Sequence, residues 1–298
     1  MMEGDFNAEK FNDVTQNLYF LSESMLSEMI DTARVHAQSM FDCEDHLLQL
    51  ISFIDLTTLN SDDTNDVVER LIDKAVLPYP TEPEAECAAI CVYPARITGA
   101  KRYLHSKYDQ QQSLAICSVA AGFPSGQYRM ESKILEVKLA VEDGANEIDI
   151  VISRDAVIEQ DWKRVYDEVA ALKAHCGSNC MKTILATGEL QNNANIFRAS
   201  WASMLAGSDF IKTSTGKEKV NATYEAACVM CHAIKKFYSF TGKKVGFKAA
   251  GGIRSTREAL AYQAIVEEIL GTDWLEPKLF RIGASSLLDD IVKELGKR

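Results

Sequence analysis

No stretch of the 298-residue chain approaches the about 18 consecutive apolar residues that a membrane-spanning helix needs, so no transmembrane helix is available. A basic excess is lacking too. The chain has 32 Lys and Arg against 43 Asp and Glu, a net charge of −11, whereas a nucleic-acid surface needs a concentrated basic face. The start, Met1-Met2-Glu3-Gly4-Asp5, has neither the positive charge nor the apolar run of a secretory signal, so a cytoplasmic location is expected. No G-x-x-x-x-G-K-[ST] phosphate loop occurs, and no low-complexity linker divides the chain beyond Ile51. What remains is ordinary globular composition, 47% hydrophobic and 25% charged, ample for a large core.

The eight cysteines lie mostly in apolar stretches such as Cys87-Ala-Ala-Ile-Cys91, as free thiols of a reducing compartment do. Cys228-Val-Met-Cys231-His232 matches a haem-attachment spacing. Yet the apolar positions around it (Ala226, Val229, Met230, Ala233, Ile234, Phe237) recur with a helical period, so Asn221–Tyr238 reads as a packed helix. Residues 1–48 read as a helical extension. Leu18, Leu21, Met25, Met29 and Ala33 within Val14–Met40 predict one amphipathic helix, packed on the main domain or offered to a protein partner.

Residues 49–298 repeat one pattern: a short apolar run, a polar loop, then a helical stretch. The runs are Ile51–Asp55, Ala88–Tyr93, Leu114–Val119, Glu147–Ile152, Met181–Ala186, Asp209–Thr213, Val245–Ala249 and Leu279–Ile282. They start roughly 26 to 37 residues apart, about one βα unit each. Near-continuous apolar runs suit parallel strands covered on both faces. Helical candidates between them include Gln127–Glu142, Asp161–His175, Gln191–Ala206 and Ser255–Leu270. Eight such units over about 250 residues predict an α/β fold, a (β/α)8 TIM barrel with an added N-terminal helical segment; a doubly wound sheet is the alternative.

Polar residues inside these runs carry the chemistry. Strand alternation sets Lys212 opposite Ile211, and Lys248 opposite Val245 and Phe247. It also sets Glu147 and Asp149 opposite Ile148 and Ile150, and turns Lys182 inward. One buried ion pair explains one lysine and one aspartate, not a second inward lysine. An ordinary lysine, with a pKa near ~10.4, is only about 0.04% neutral at pH 7. A second ammonium and desolvation together favour the neutral amine, which can then attack a carbonyl and form a Schiff base. Asp149 can pair with the ammonium and pass protons through a water.

Three loops after neighbouring strands read as a phosphate site: Thr213-Ser214-Thr215-Gly216-Lys217, Ala250-Gly251-Gly252 and Gly283-Ala284-Ser285-Ser286. Their glycines let backbone N–H groups approach an anion, and Ser285 or Ser286 can cap the last helix. Barrels commonly hold phosphate after strands seven and eight.

Asp209-Phe-Ile-Lys-Thr-Ser-Thr-Gly-Lys217, Gly246-Phe-Lys-Ala-Ala-Gly-Gly-Ile-Arg254, Cys91-Val-Tyr-Pro94 and Glu147-Ile-Asp-Ile150 together resemble the deoxyribose-phosphate aldolase family. Thr187-Gly-Glu-Leu190 and Arg281-Ile-Gly-Ala-Ser-Ser286 agree, and the resemblance runs from about Ile51 to Leu288. It implies a class I aldolase on a (β/α)8 barrel, with no metal or other cofactor. The implied reaction is reversible cleavage of 2-deoxy-D-ribose 5-phosphate to glyceraldehyde 3-phosphate and acetaldehyde, in deoxyribonucleotide catabolism. By the same resemblance, Lys212 is the Schiff-base lysine and Lys248 the second lysine that lowers its pKa. Asp149 is the acid–base aspartate and Asp55 a supporting carboxylate. Thr215, Gly216, Lys217, Gly251, Gly252, Gly283, Ser285 and Ser286 fall at the 5-phosphate. Cys91 stands at the pocket wall or in core packing, and Lys182 in the pocket or in a structural ion pair. The iminium is expected to accept electrons as C3–C4 breaks.

The chain departs from the family pattern in three ways. It ends Glu294-Leu-Gly-Lys-Arg298 without the terminal tyrosine of many members, and Ala249 stands where Lys-Pro-Ala-Gly-Gly is usual. Its N-terminal helix is also longer than in compact bacterial relatives. The expected partner is a small phosphorylated sugar or aldehyde, with no nucleic acid and no membrane; a homo-oligomer stays open. The alternatives are a Schiff-base enzyme for another phosphorylated aldehyde, and a weakly active or inactive barrel that binds a protein through its N-terminal helix.

Overall fold

The computed structural model describes residues 6–108 and 113–298; the acidic start Met1–Asp5 lies outside them. Eight strands form a closed parallel barrel in chain order: β1 (Ile54–Thr57), β2 (Ala89–Val92), β3 (Ala115–Ala120), β4 (Glu147–Val151), β5 (Cys180–Ile184), β6 (Phe210–Lys212), β7 (Gly246–Ala250) and β8 (Phe280–Ala284). The ring closes where Ile54 registers with Ile282. Three helices precede it: α1 (Ala8–Leu18), α2 (Glu23–Phe41) and α3 (Glu44–Ser52). The outer layer is α4 (Asn65–Val76), α5 (Ile97–Lys107), α6 (Met130–Glu142), α7 (Arg154–Ile158), α8 (Trp162–Cys176), α9 (Asn193–Leu205), α10 (Tyr224–Thr241), α11 (Thr256–Leu270) and α12 (Leu287–Leu295).

Five of the outer helices start where a short polar side chain accepts from a freed amide. Thr64, Asp161, Asn192 and Thr223 each do so, and Ser255 forms a reciprocal capping box with Glu258. Strand alternation then divides the core. Ile90, Val92, Ile116, Ile148 and Ile150 join the main apolar cluster with the helices, while Ala89, Cys91, Cys117 and Val119 form a second, smaller cluster with Leu59. The C-x-x-C-H segment lies in α10 with Cys228, Cys231 and His232 all buried.

Beyond shifts of one to three residues at element ends, two differences from the sequence expectation change an element. Ile51 does not begin a strand. Leu47, Leu50 and Ile51 are the buried stripe of α3, because a short apolar run alone cannot separate a buried helix from a strand. The expected helix Val14–Met40 is also two helices, broken at Tyr19, with Ser22 accepting from Met25 N at 3.3 Å to start the second. The restart puts Leu26 rather than Met25 on the buried side, while Leu21 and Ala33 of the expected stripe are buried. Leu26, Ala33, Ala37 and Met40 are buried, and Met25 is left 38% exposed. α2 lies along α11 and α10, so its apolar side is spent within the chain's own core. No helix among the described residues is long and apolar enough to cross a membrane.

Candidate active site

The interior of such a barrel is usually filled with Val, Ile and Leu. Here seven charged side chains fill it instead. Lys212 on β6 and Lys248 on β7 are register partners, and both donate to the same oxygen of Asp149, at 2.7 and 2.8 Å. Lys182 on β5, register partner of Asp149, donates to its other oxygen at 3.1 Å and pairs closely with Glu147. Lys248 also pairs closely with Asp55, which lies 3.5 Å from Lys182. Arg281 on β8 closes the lattice, donating to Asp55 at 2.5 Å and Glu147 at 2.8 Å. Gly283 makes room for Lys248: a Cβ there would lie 3.2 Å from Cε of Lys248 and 3.0 Å from Cβ of Ala250.

Burial alone would raise the carboxyl pKa values, but the cations win. Lys182, Lys212 and Lys248 hold Asp149 well below the usual carboxylate range, and Lys248, Arg281 and Lys182 do the same for Asp55. Burial works against the ammonium of Lys248, but Asp149 and Asp55 keep its pKa above the ordinary lysine value. Lys182 is raised likewise, by Asp149, Cys117, Glu147 and Asp55.

Four cations therefore face three carboxylates. One positive charge is in excess, among side chains that are all buried.

A cavity of about 300 Å³ opens above this lattice, at the C-terminal ends of the strands. Of the charged seven, Lys212 lines it. Its rim brings together Thr57, Thr58 and Asn60 from the end of β1 and beyond it, Thr215, Gly216 and Lys217 after β6, Gly251, Gly252 and Arg254 after β7, and Gly283 and Ser285 from β8 and its end. Ser286 lies outside this lining. It holds the N-cap position of α12 but makes no side-chain cap, contrary to expectation. Cys91 is fully buried and is not part of the lining. A hydrogen bond from Cys117 lowers its thiol pKa despite burial, while burial pushes Cys117 up. Cys91, Cys117 and Asp149 place their donor atoms within 4.8 Å of one another. The ammonium of Lys182, 3.4 Å from the Cys117 sulfur, already takes the cationic place beside them, so the arrangement is a hydrogen-bond chain.

Gly251 and Gly252 both have positive φ, +91° and +85°. A Cβ on Gly251 would approach Asn221 to 2.7 Å, whereas one on Gly252 meets nothing within 4 Å. Gly251→Ala is therefore expected to cost more than the about 1–3 kcal/mol of backbone strain alone. Gly252→Ala should carry the backbone part alone. Urea midpoints of the two variants check this, and equal midpoints would contradict it.

Reasoning from the sequence missed Arg281, Cys117 and Arg254 as site residues. Arg281 carried the signal that exposed the lysines, a charged residue alternating with Phe280 and Ile282.

A closed (β/α)8 barrel whose C-terminal cavity reaches one amine of a buried charge lattice has the parts that a barrel aldolase working through lysine requires. A family model described as DeoC/LacD family aldolase matches residues 49–292. The chain belongs to that family. A relative from Caenorhabditis elegans is 60% identical over 252 residues, covering 85% of this chain and 82% of its own length. Deoxyribose-phosphate aldolase from Homo sapiens is 48% identical over 258 residues, 84% of this chain and 80% of that protein. The tetrameric deoxyribose phosphate aldolase from Aeropyrum pernix shares the fold, with a TM-score of 0.67 at 22% identity over 89% of this chain and 97% of that one.

Proposed function

We propose that the chain reversibly cleaves 2-deoxy-D-ribose 5-phosphate to D-glyceraldehyde 3-phosphate and acetaldehyde through a Schiff base on Lys212. The observation that carries this reading is that Lys212 is the amine of the lattice that reaches the cavity, 2.7 Å from Asp149. Family membership and the named human relative support the substrate.

The charge count supplies the chemistry. Losing one proton balances the lattice, and Lys212, with one carboxylate partner against two for Lys248 and three for Lys182, is the ammonium with the least to lose. The neutral amine adds to C1 of the open-chain aldehyde, and uptake of one proton from solvent with loss of water leaves an iminium; the final hydrolysis returns that proton. That iminium restores the excess positive charge beside Lys248. Electron flow into it, giving a neutral enamine, is favoured for the same reason as the first deprotonation. The two-carbon product fixes the broken bond as C2–C3 rather than the C3–C4 bond expected above. The C3 hydroxyl gives up its proton as the bond breaks, the enamine gains one at C2, and water then releases acetaldehyde. Asp149, held as an anion, stabilises the iminium and orients a water for these transfers, a narrower role than a titrating acid–base group.

The 5-phosphate is assigned to the amides and side chains of Thr215, Gly216, Lys217, Gly251, Gly252, Gly283 and Ser285, with Arg254 at the rim. Residues 49–298 carry this chemistry, with 1–48 as a packed flank. Self-association is the partner to test first, since the Aeropyrum pernix relative is a tetramer.

Borohydride trapping with the phosphorylated sugar, followed by peptide mapping, tests the reading. The expected result is a two-carbon adduct on Lys212. A full-length sugar adduct would mean binding without cleavage, and no adduct on any lysine would overturn the reading.

A further inference from the structure

The loop after β6 holds a carboxylate where the phosphate is assigned. Both oxygens of Glu218 accept from Thr215 N at 3.1 Å, and one accepts from Gly216 N at 3.2 Å. Thr215 and Gly216 line the cavity, and Gly216 has φ +86°. Successive amides with a positive-φ residue form a concave anion nest. Lys217, next in the chain, donates to the backbone carbonyl of Leu59 at 2.8 Å. The positive end of the rim is thus engaged with a neutral acceptor, and the chain's own anion sits on the amides.

We propose that Glu218 is a built-in competitor for the phosphate-binding amides, which an incoming phosphate must displace. This rests on the phosphate assignment above. The side chain can leave without refolding the loop, because Asn221 Nδ2 holds the Glu218 carbonyl at 3.0 Å and pins the backbone. A phosphate dianion outcompetes a carboxylate, since it carries more charge and more acceptor oxygens for the amides, Lys217 and Arg254. A neutral hydroxyl at the same position cannot. Glu218 thereby sets a threshold: phosphorylated aldehydes open the nest, and unphosphorylated or weakly anionic ones leave it closed.

The test is titration calorimetry of the full chain with inorganic phosphate alone, together with KM for the phosphorylated sugar. Glu218→Gln weakens the internal competitor, so phosphate should bind about 5- to 20-fold tighter and KM should fall in parallel. Glu218→Asp, too short to reach both amides, should move both in the same direction, and serves if the first variant folds poorly. Unchanged phosphate affinity in both variants would overturn the proposal. So would a rise in KM with a fall in kcat, which would make Glu218 a staple that holds the loop for substrate. Because the calorimetry needs no turnover, tighter phosphate binding without any Lys212 adduct would sink the aldolase reading and leave this one standing. An adduct with unchanged phosphate affinity would do the reverse.

Discussion

Lys212→Ala is expected to lower kcat/KM by at least about 10⁴-fold and to abolish borohydride trapping with 2-deoxyribose 5-phosphate. The size follows from the role: without the amine no iminium forms, and the C2–C3 bond has no electron sink. The loss is chemical rather than structural. Asp149 keeps Lys182 at 3.1 Å and Lys248 at 2.8 Å, so removing Lys212 leaves no carboxylate unpaired and three cations against three anions. The variant should therefore keep its far-ultraviolet dichroism and a urea midpoint near that of the parent chain. Turnover within tenfold of the parent, or an adduct on Lys182 or Lys248, would refute the assignment.

How much of this was legible in the sequence depends on the kind of signal each residue carried. Lys212, Lys248, Lys182, Asp149 and Glu147 stood out because a parallel strand buried on both faces has no reason to carry charge unless the barrel interior uses it. Asp55 was reached by family resemblance alone, since Ile51 to Asp55 reads as one apolar run whose helical half hides where the strand begins. Lattice connectivity was out of reach. That Lys212 and Lys248 share one oxygen of Asp149 follows from register between strands over thirty residues apart in sequence, which local patterning does not encode. The Glu218 nest was invisible for another reason. A carboxylate two residues after a glycine is commonplace, and only the positive φ of Gly216 turns the amides toward it. The N-terminal break at Tyr19 was masked because the apolar spacing runs across it without a gap, although Ser22-Glu23 carried a helix-start signal.

The charge count makes a second large prediction, in two opposite directions. Lys248→Met removes a cation whose nitrogen, sharing an oxygen with Lys212, lies within about 5.5 Å of it; at an effective dielectric near 20 that contact is worth about 3 kcal/mol. The lattice is then balanced with Lys212 still protonated, so the amine no longer gains by losing its proton. The acid limb of kcat/KM should move up by about 2 pH units, with the activity lost below it recovered as the pH rises. Glu147→Gln removes an anion that touches Lys182 and Arg281, and increases the positive excess. Its acid limb should move down, by on the order of 1 pH unit, because Glu147 acts on Lys212 from farther away. A purely structural role for these residues would lower activity at every pH without moving the limb. Opposite shifts in the two variants, read from pH profiles of kcat/KM, are thus the signature of an amine governed by the net charge around it. Shifts of the same sign, or no shift in either, would show that the excess charge of the lattice does not set the protonation of the nucleophile.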